Sequence, residues 1–369
     1  MAIKGTLKKA RLEDLLAVLG KSHRIIGPKA EGGAVVMEEI GYKDIPSGVR
    51  DLQWPGGCRL LPGKDSQVFS FSPGPDSFKR FLHPPASELF AFKRNGAKID
   101  FLPAPKIAER PMAFFTVRPC DLSALKLYDK IFLGGPVADQ AYESLRRGSL
   151  VVALNCLYPG DNCFCLSMGT GPEARDGFDI QMTELEDSFL LEEGSAKGAE
   201  ILEQLSLGQA GADEISAKRR RIESCKAAFK KSIAAHELPG IIYANLGHPH
   251  WDDIARRDLE CGNCTQVCPT CFCSTSYDYA ALGGIAAGGA VSGKRFRKWD
   301  SCFSRSFARV HSGNFRLSRK ARYRHWMAHK LAYTQAQFGL SGCVGCGRCI
   351  TWCPAGIDIT AELEALRHV

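Results

Sequence analysis

The chain has 369 residues, 45% of them hydrophobic and 24% charged, a balance that suits one large or two ordinary globular domains and excludes a disordered or collagen-like protein. Lysine and arginine outnumber aspartate and glutamate by 48 to 40, a net charge of +8, and no apolar stretch approaches the length needed to span a bilayer. Sixteen cysteines exceed what a core of this size requires; with no signal-peptide pattern at the start, a cytoplasmic location is expected, where thiols serve as metal ligands or redox groups rather than as disulfides.

KKARLEDLLAVLGK, near the N-terminus, is patterned as a helix. MAFFTVRPCD and SLVVALNC, rich in β-branched and aromatic residues, are predicted strands ending at Cys120 and Cys156. Ligands collect at the carboxyl ends of strands in open α/β sheets, and the loop YPGDNCFCLSMGTGP carries Cys163 and Cys165 back toward the same edge. Four thiols gathered there suit an iron-sulfur cluster, a zinc ion or plain burial, and the C-x-C spacing does not choose among them. GFDIQMTELEDSFLLEEG is patterned as a hairpin turning at Glu186 and Asp187, and the charged helical stretch ADEISAKRRRIESCKAAFKKSIAAHEL follows. This mixture predicts an α+β or α/β domain over residues 1–250. Beyond it strand signals fade, so residues 251–369 are expected to form a helical ferredoxin-like domain.

Ten of the cysteines fall between 261 and 353. SGCVGCGRCITWCP places Cys343, Cys346, Cys349 and Cys353 in the run C-x2-C-x2-C-x3-C-P. DLECGNCTQVCPTCFC places Cys261, Cys264 and Cys268 at the last three positions of the same run, with Asp258 where the first cysteine would stand. In two-cluster ferredoxins the first three thiolates of a run grip one cubane and the fourth reaches the other. That crossed pattern assigns Asp258, Cys261, Cys264 and Cys353 to a first [4Fe-4S] cluster and Cys268, Cys343, Cys346 and Cys349 to a second. Zinc would ordinarily use two C-x2-C pairs instead. Asp258 is either an oxygen ligand that leaves one iron labile or a cap on the following turn. Cys271, Cys273 and Cys302 are spare thiols able to take its place, and Cys120, Cys156, Cys163 and Cys165 are the candidates for a third cluster.

Residues 291–330 hold twelve basic side chains against Asp300 alone, a local +11 that leaves the rest of the chain at about −3. Such a segment serves an anionic cofactor, an acidic partner or a solvated helical face, and no nucleic-acid motif accompanies it. Gly288 to Lys294 has the spacing of a phosphate loop, but Arg295 replaces the Ser or Thr that would hold magnesium. His325 and His329 stand i, i+4 on a helical segment without a nearby acidic ligand. Hydrolase and dinucleotide-binding motifs are missing, and no acid/base or nucleophile constellation marks a catalytic residue.

VRPCDLSALKLYDKIFLGGP, NCLYPGDNCFCLSMGTGPEA, CGNCTQVCPTCFC, WDSCF and SGCVGCGRCITWCPAGIDIT together resemble the iron-sulfur beta subunit of cytoplasmic sulfhydrogenases and the corresponding iron-sulfur subunit of anaerobic sulfite reductase, over roughly residues 110–369. The resemblance implies an electron-transfer subunit with [4Fe-4S] clusters. It would stand between a flavin subunit that oxidises NAD(P)H, which carries the FAD, and a catalytic subunit of hydrogenase or sulfite-reductase type. It also implies Cys261, Cys264, Cys268, Cys343, Cys346, Cys349 and Cys353 as cluster ligands. A cysteine opens the first motif in that family's pattern, so Asp258 departs from it. Two other functions stay open: a redox enzyme in which Asp258 leaves an iron accessible to substrate, and a zinc-stabilised interaction module.

Overall fold

The computed structural model describes residues 2–64, 66–103, 110–285 and 291–367. The chain opens with β1 (Ala2–Lys8), α1 (Leu12–Gly20) and a hairpin of β2 (Arg24–Glu31) and β3 (Ala34–Glu39). A two-stranded ribbon, β4 (Val49–Trp54) and β5 (Gly57–Pro62), follows, then the short α2 (Lys79–Leu82) and a hairpin of β6 (Ala86–Asn95) and β7 (Lys98–Pro103). Next come β8 (Met112–Val117), α3 (Pro119–Phe132), α4 (Gln140–Arg147), β9 (Leu150–Leu154), β10 (Ile180–Glu184) and β11 (Ser188–Glu193).

Seven of these strands make one sheet in the order β1-β11-β10-β9-β8-β2-β3. Its middle is parallel, β10 with β9, β9 with β8 and β8 with β2, and its flanks are antiparallel. Every residue of β8 and β9 is buried, as expected of strands covered on both faces. Alternate residues divide between the two covers. Phe115, Val152 and Leu154 pack with Leu12, Leu15 and Leu19 of α1, while Phe114, Val151 and Ala153 pack with Leu122, Leu125 and Tyr128 of α3. The hairpin expected to turn at Glu186 and Asp187 is β10–β11, with Glu184 opposite Phe189.

The second half is not all-helical, which corrects the expectation for residues 251–369. α5 (Ala196–Leu202), α6 (Ala212–Ala227), α7 (Leu238–Ala244), α8 (His250–Arg257) and α9 (Asn263–Gln266) are followed by two strands, β12 (Ser274–Ile285) and β13 (Val291–Trp299). These join the earlier hairpin in a four-stranded antiparallel sheet, β12-β13-β6-β7. Their strand signal is faint because cross-strand pairs of polar and aromatic groups hold them, not an apolar run. Arg295 pairs with Asp278 at 2.7 Å, Tyr277 stacks on Phe296, and Lys294 reaches Glu88 of β6 at 2.8 Å. The strand β13 holds Lys294, which therefore does not lie in a phosphate loop; residues 288–290 of the suspected loop lie outside the described residues.

The chain then forms the small hairpin β14 (Arg309–Val310) and β15 (Gly313–Asn314), α10 (Arg319–Ala328), a π-helical turn (His329–Tyr333), α11 (Thr334–Phe338), α12 (Arg348–Thr351) and α13 (Ile359–Ala365). The basic segment is therefore spread over a strand, loops and a helix rather than one solvated face, and Arg322 and Lys330 within it are buried.

Arg348 of α12 and Asp121 of α3 bind the two halves of the chain. Both are buried, and the guanidinium grips the carboxylate in two bonds of 2.6 and 2.8 Å, with further bonds to the carbonyls of Gly74 (2.7 Å) and Asp76 (3.1 Å). Removing one partner strands a charge away from water. Arg348→Met is expected to lower unfolding stability by about 3–5 kcal/mol in chemical denaturation, and Arg348→Met with Asp121→Leu to recover much of it. A single variant as stable as the parent would contradict this reading of the pair.

Candidate metal centres

The two cysteine runs reach the same place because each loop turns on a left-handed glycine, Gly262 (φ 69°) before α9 and Gly347 (φ 74°) before α12. Asn263 donates from Nδ2 to the carbonyl of Trp352, tying run to run. Cys343, Cys346 and Cys349 line one enclosed cavity with Cys268 of the other run, alongside Phe164, Val344, Gly347, Ile359 and Lys330. The Gly345 N–H points at Cys343 Sγ at 3.5 Å, and Lys330 Nζ donates to Cys268 Sγ at 2.9 Å. Burial pushes the Cys343 thiol up to about 11 and raises Cys346 and Cys349 as well. Cys268 feels the same burial, but a hydrogen bond with Cys271 and the Lys330 ammonium outweigh it and hold its thiol well below the usual range.

A second set gathers at Cys264. Burial raises this thiol, and its charged neighbours are Cys353, Lys330, Asp258 and Cys261. Cys353 Sγ accepts the Ile357 N–H at 3.4 Å. Asp258 is buried: one oxygen accepts the Glu260 N–H at 3.1 Å, while Oδ2 has no hydrogen-bond partner among the described residues. The carboxylate thus caps the turn with one oxygen and leaves the other, buried, for something else. Burial raises its pKa. Cys261 is exposed. Of the spare thiols, Cys302 lies near Cys264 and hydrogen-bonds Cys273, whereas Cys271 turns to Cys268.

The third set forms beyond the parallel strands. Cys156 lies just past β9, but Cys120 is in the first turn of α3, not at a strand end, because Pro119 begins the helix. Cys165 hydrogen-bonds Cys120, and Cys163 faces Cys156, Cys120 and Cys346. Cys225 of α6 joins them through a hydrogen bond to Cys156, which draws the Cys156 thiol down to about 7.

This set sits directly on the loop of Cys343 to Cys349. Phe164 N–H bonds the Gly345 carbonyl at 2.8 Å, Thr170 Oγ1 the Val344 carbonyl at 2.6 Å, and Asn162 Nδ2 the Thr351 hydroxyl at 2.9 Å. Gly345, at φ 65°, is needed there: a Cβ would stand 2.7 Å from the backbone of Phe164 and Cys165. Among the described residues no three His, Cys, Asp or Glu side chains converge on one point as a single ion requires. Cubane ligands have no such need, since each thiolate binds a different iron. His325 and His329 stack in parallel at 5.8 Å, and burial lowers both, His325 to about 4.

A family model described as a 4Fe-4S dicluster domain matches residues 257–357. The sulfhydrogenase 2 beta subunit of Pyrococcus furiosus is 34% identical over 294 residues, which is 79% of this chain and 82% of that protein. The chain belongs to the sulfhydrogenase beta-subunit family. It is an iron-sulfur electron-transfer subunit, and none of its described helices is long and apolar enough to cross a membrane. No solved structure matches it.

In this beta-subunit homologue, sequence reasoning missed Lys330, Arg348 and Cys225. Lys330 had a signal, a lone cation in the apolar text WMAHKLAY. Cys225 had little: within a highly charged helix only Ile222, three residues earlier, shares its buried face. The thiol chemistry gives a pH dependence. Cluster ligands are thiolates, so a thiol held protonated by burial must release its proton when iron binds. The raised pKa of Cys343 stabilises the cluster-free fold below the ordinary thiol value of 9.0, and that contribution is lost as pH rises through about 11. Cluster uptake at limiting iron and sulfide is therefore expected to increase between about pH 7 and about pH 9, with measurable proton release. Uptake that ignores pH would show the ligand thiols to be ionised already.

Proposed function

We propose that this chain relays single electrons through three [4Fe-4S] clusters set in series. Asp258, Cys261, Cys264 and Cys353 hold the first; Cys268, Cys343, Cys346 and Cys349 the second; Cys120, Cys156, Cys163 and Cys165 the third. The observation that carries this reading is adjacency. The middle set neighbours both others: Lys330, bonded to Cys268 Sγ, also acts electrostatically on Cys264 on one side, and Cys163 Sγ bonds the Cys346 carbonyl at 3.5 Å on the other. When bound, the clusters supply reversible one-electron chemistry; the chain's part is to fix their ligands, exclude water and set the local charge. The unpartnered Oδ2 of Asp258 supports an oxygen ligand at the first cluster.

The exposed Cys261 makes the first cluster the point where electrons cross to another protein, beside the exposed Arg319, which donates to the Asp258 carbonyl at 3.4 Å. Its partners are a flavin subunit that oxidises NAD(P)H and bears the FAD, and a catalytic subunit of hydrogenase or sulfite-reductase type. Anaerobically purified protein should contain about twelve iron atoms and as many labile sulfides per chain, without stoichiometric zinc. About eight would remove the third cluster, and zinc in place of iron would overturn the relay. Asp258→Cys should keep electron transfer and tighten iron retention; loss of turnover in that variant alone would instead mark an open iron that binds substrate.

A further inference from the structure

Lys330 is 5% exposed, and no carboxylate pairs with it among the described residues. Its ammonium donates to Cys268 Sγ at 2.9 Å, to Thr270 Oγ1 at 3.1 Å and to the Gly342 carbonyl at 3.3 Å. Burying a cation without a counter-charge costs several kcal/mol, so the sulfur beside it must supply the negative charge. The backbone is shaped for the contact. Lys330 lies in the π-helical turn His329–Tyr333, and Thr334 Oγ1 donates to the His329 carbonyl at 2.6 Å across the widened turn. Gly342 packs so closely there that a Cβ would meet Thr334 Oγ1 at 2.6 Å and the Lys330 carbonyl at 2.9 Å.

The other two thiol sets are furnished differently. The first has the Asp258 carboxylate beside its thiols, and Lys330 acts on its Cys264 only through space, its ammonium being hydrogen-bonded to Cys268, Thr270 and Gly342. Near the third, Arg118 spends its guanidinium on the carbonyls of Phe71 (2.8 Å) and Phe69 (3.4 Å) rather than on a sulfur. A cation hydrogen-bonded to a ligand sulfur stabilises the reduced, more negative state of a centre, and a carboxylate does the opposite.

We propose that Lys330 sets the potential of the middle cluster, raising it above its two neighbours so that it holds the electron between transfers. This rests on the reading that Cys268, Cys343, Cys346 and Cys349 bind a cubane. The test is potentiometric titration of the cluster-loaded protein followed by electron paramagnetic resonance, with iron and sulfide measured on each sample. Lys330→Met should lower one midpoint by at least a tenfold change in the reduced-to-oxidised ratio, about 59 mV for one electron, and move the others less. Lys330→Arg should restore most of the shift. If Lys330→Met loses iron, Lys330→Gln, which keeps an N–H donor without the charge, is read instead. An unchanged midpoint in an iron-replete neutral variant overturns the proposal. So does iron loss in both neutral variants with retention in Lys330→Arg, which would make the lysine's role structural. Absence of iron from the parent protein would overturn the cluster reading itself.

Discussion

Arg348 and Asp121 meet away from water, and each stands next to a thiol in the chain: Cys349 follows the arginine and Cys120 precedes the aspartate. Their two-pronged bond therefore fixes the loop of Cys343 to Cys349 against the start of α3, 227 residues away in sequence. A buried pair is favourable only when its remaining donors are also satisfied, and the carbonyls of Gly74 and Asp76 provide that. The close approach of Gly345 to Phe164 and Cys165 and the hydrogen bonds from Asn162 and Thr170 all lie within the same clamp. Two of the three thiol sets owe their adjacency to it.

Burial and charge then give chemically similar thiols different surroundings. Every set is made largely of half-buried or buried cysteines, with Cys261 the exposed exception. Low exposure keeps water from the sulfurs and lets single charges act strongly over short distances. Such differences are the protein's means of tuning otherwise similar iron-sulfur centres. In the proposed relay the exposed first set and the buried third set give the series a direction in space, from solvent inward.

The two cysteine runs were legible because their spacing is itself a folding instruction: short spacers with glycine before each small helix can only curl around a common centre. β8 and β9 were legible for a similar reason, since strands buried on both faces carry unbroken apolar text. What could not be read depends on long-range pairing. β12 and β13 carry basic and aromatic residues that make sense only beside β6, and nothing local to Arg297 shows that it lies opposite Ser87. Lys330 stands out as an oddity in its segment, but its partner sulfur is 62 residues earlier. Cys225 is placed by the packing of α6, which its charged flanks conceal. The basic segment could be read only as a total, because composition adds charges together while the fold scatters them between surface and core.

The central claim is that three redox centres stand in contact along one chain. Its most direct test is an anaerobic reductive titration of the cluster-loaded protein, counting electrons taken up per chain while recording electron paramagnetic resonance spectra. The account predicts about three electrons and a spectrum of the fully reduced state broadened by magnetic interaction between neighbouring centres. Uptake of a single electron, or several electrons with spectra that merely add as isolated centres, would contradict it.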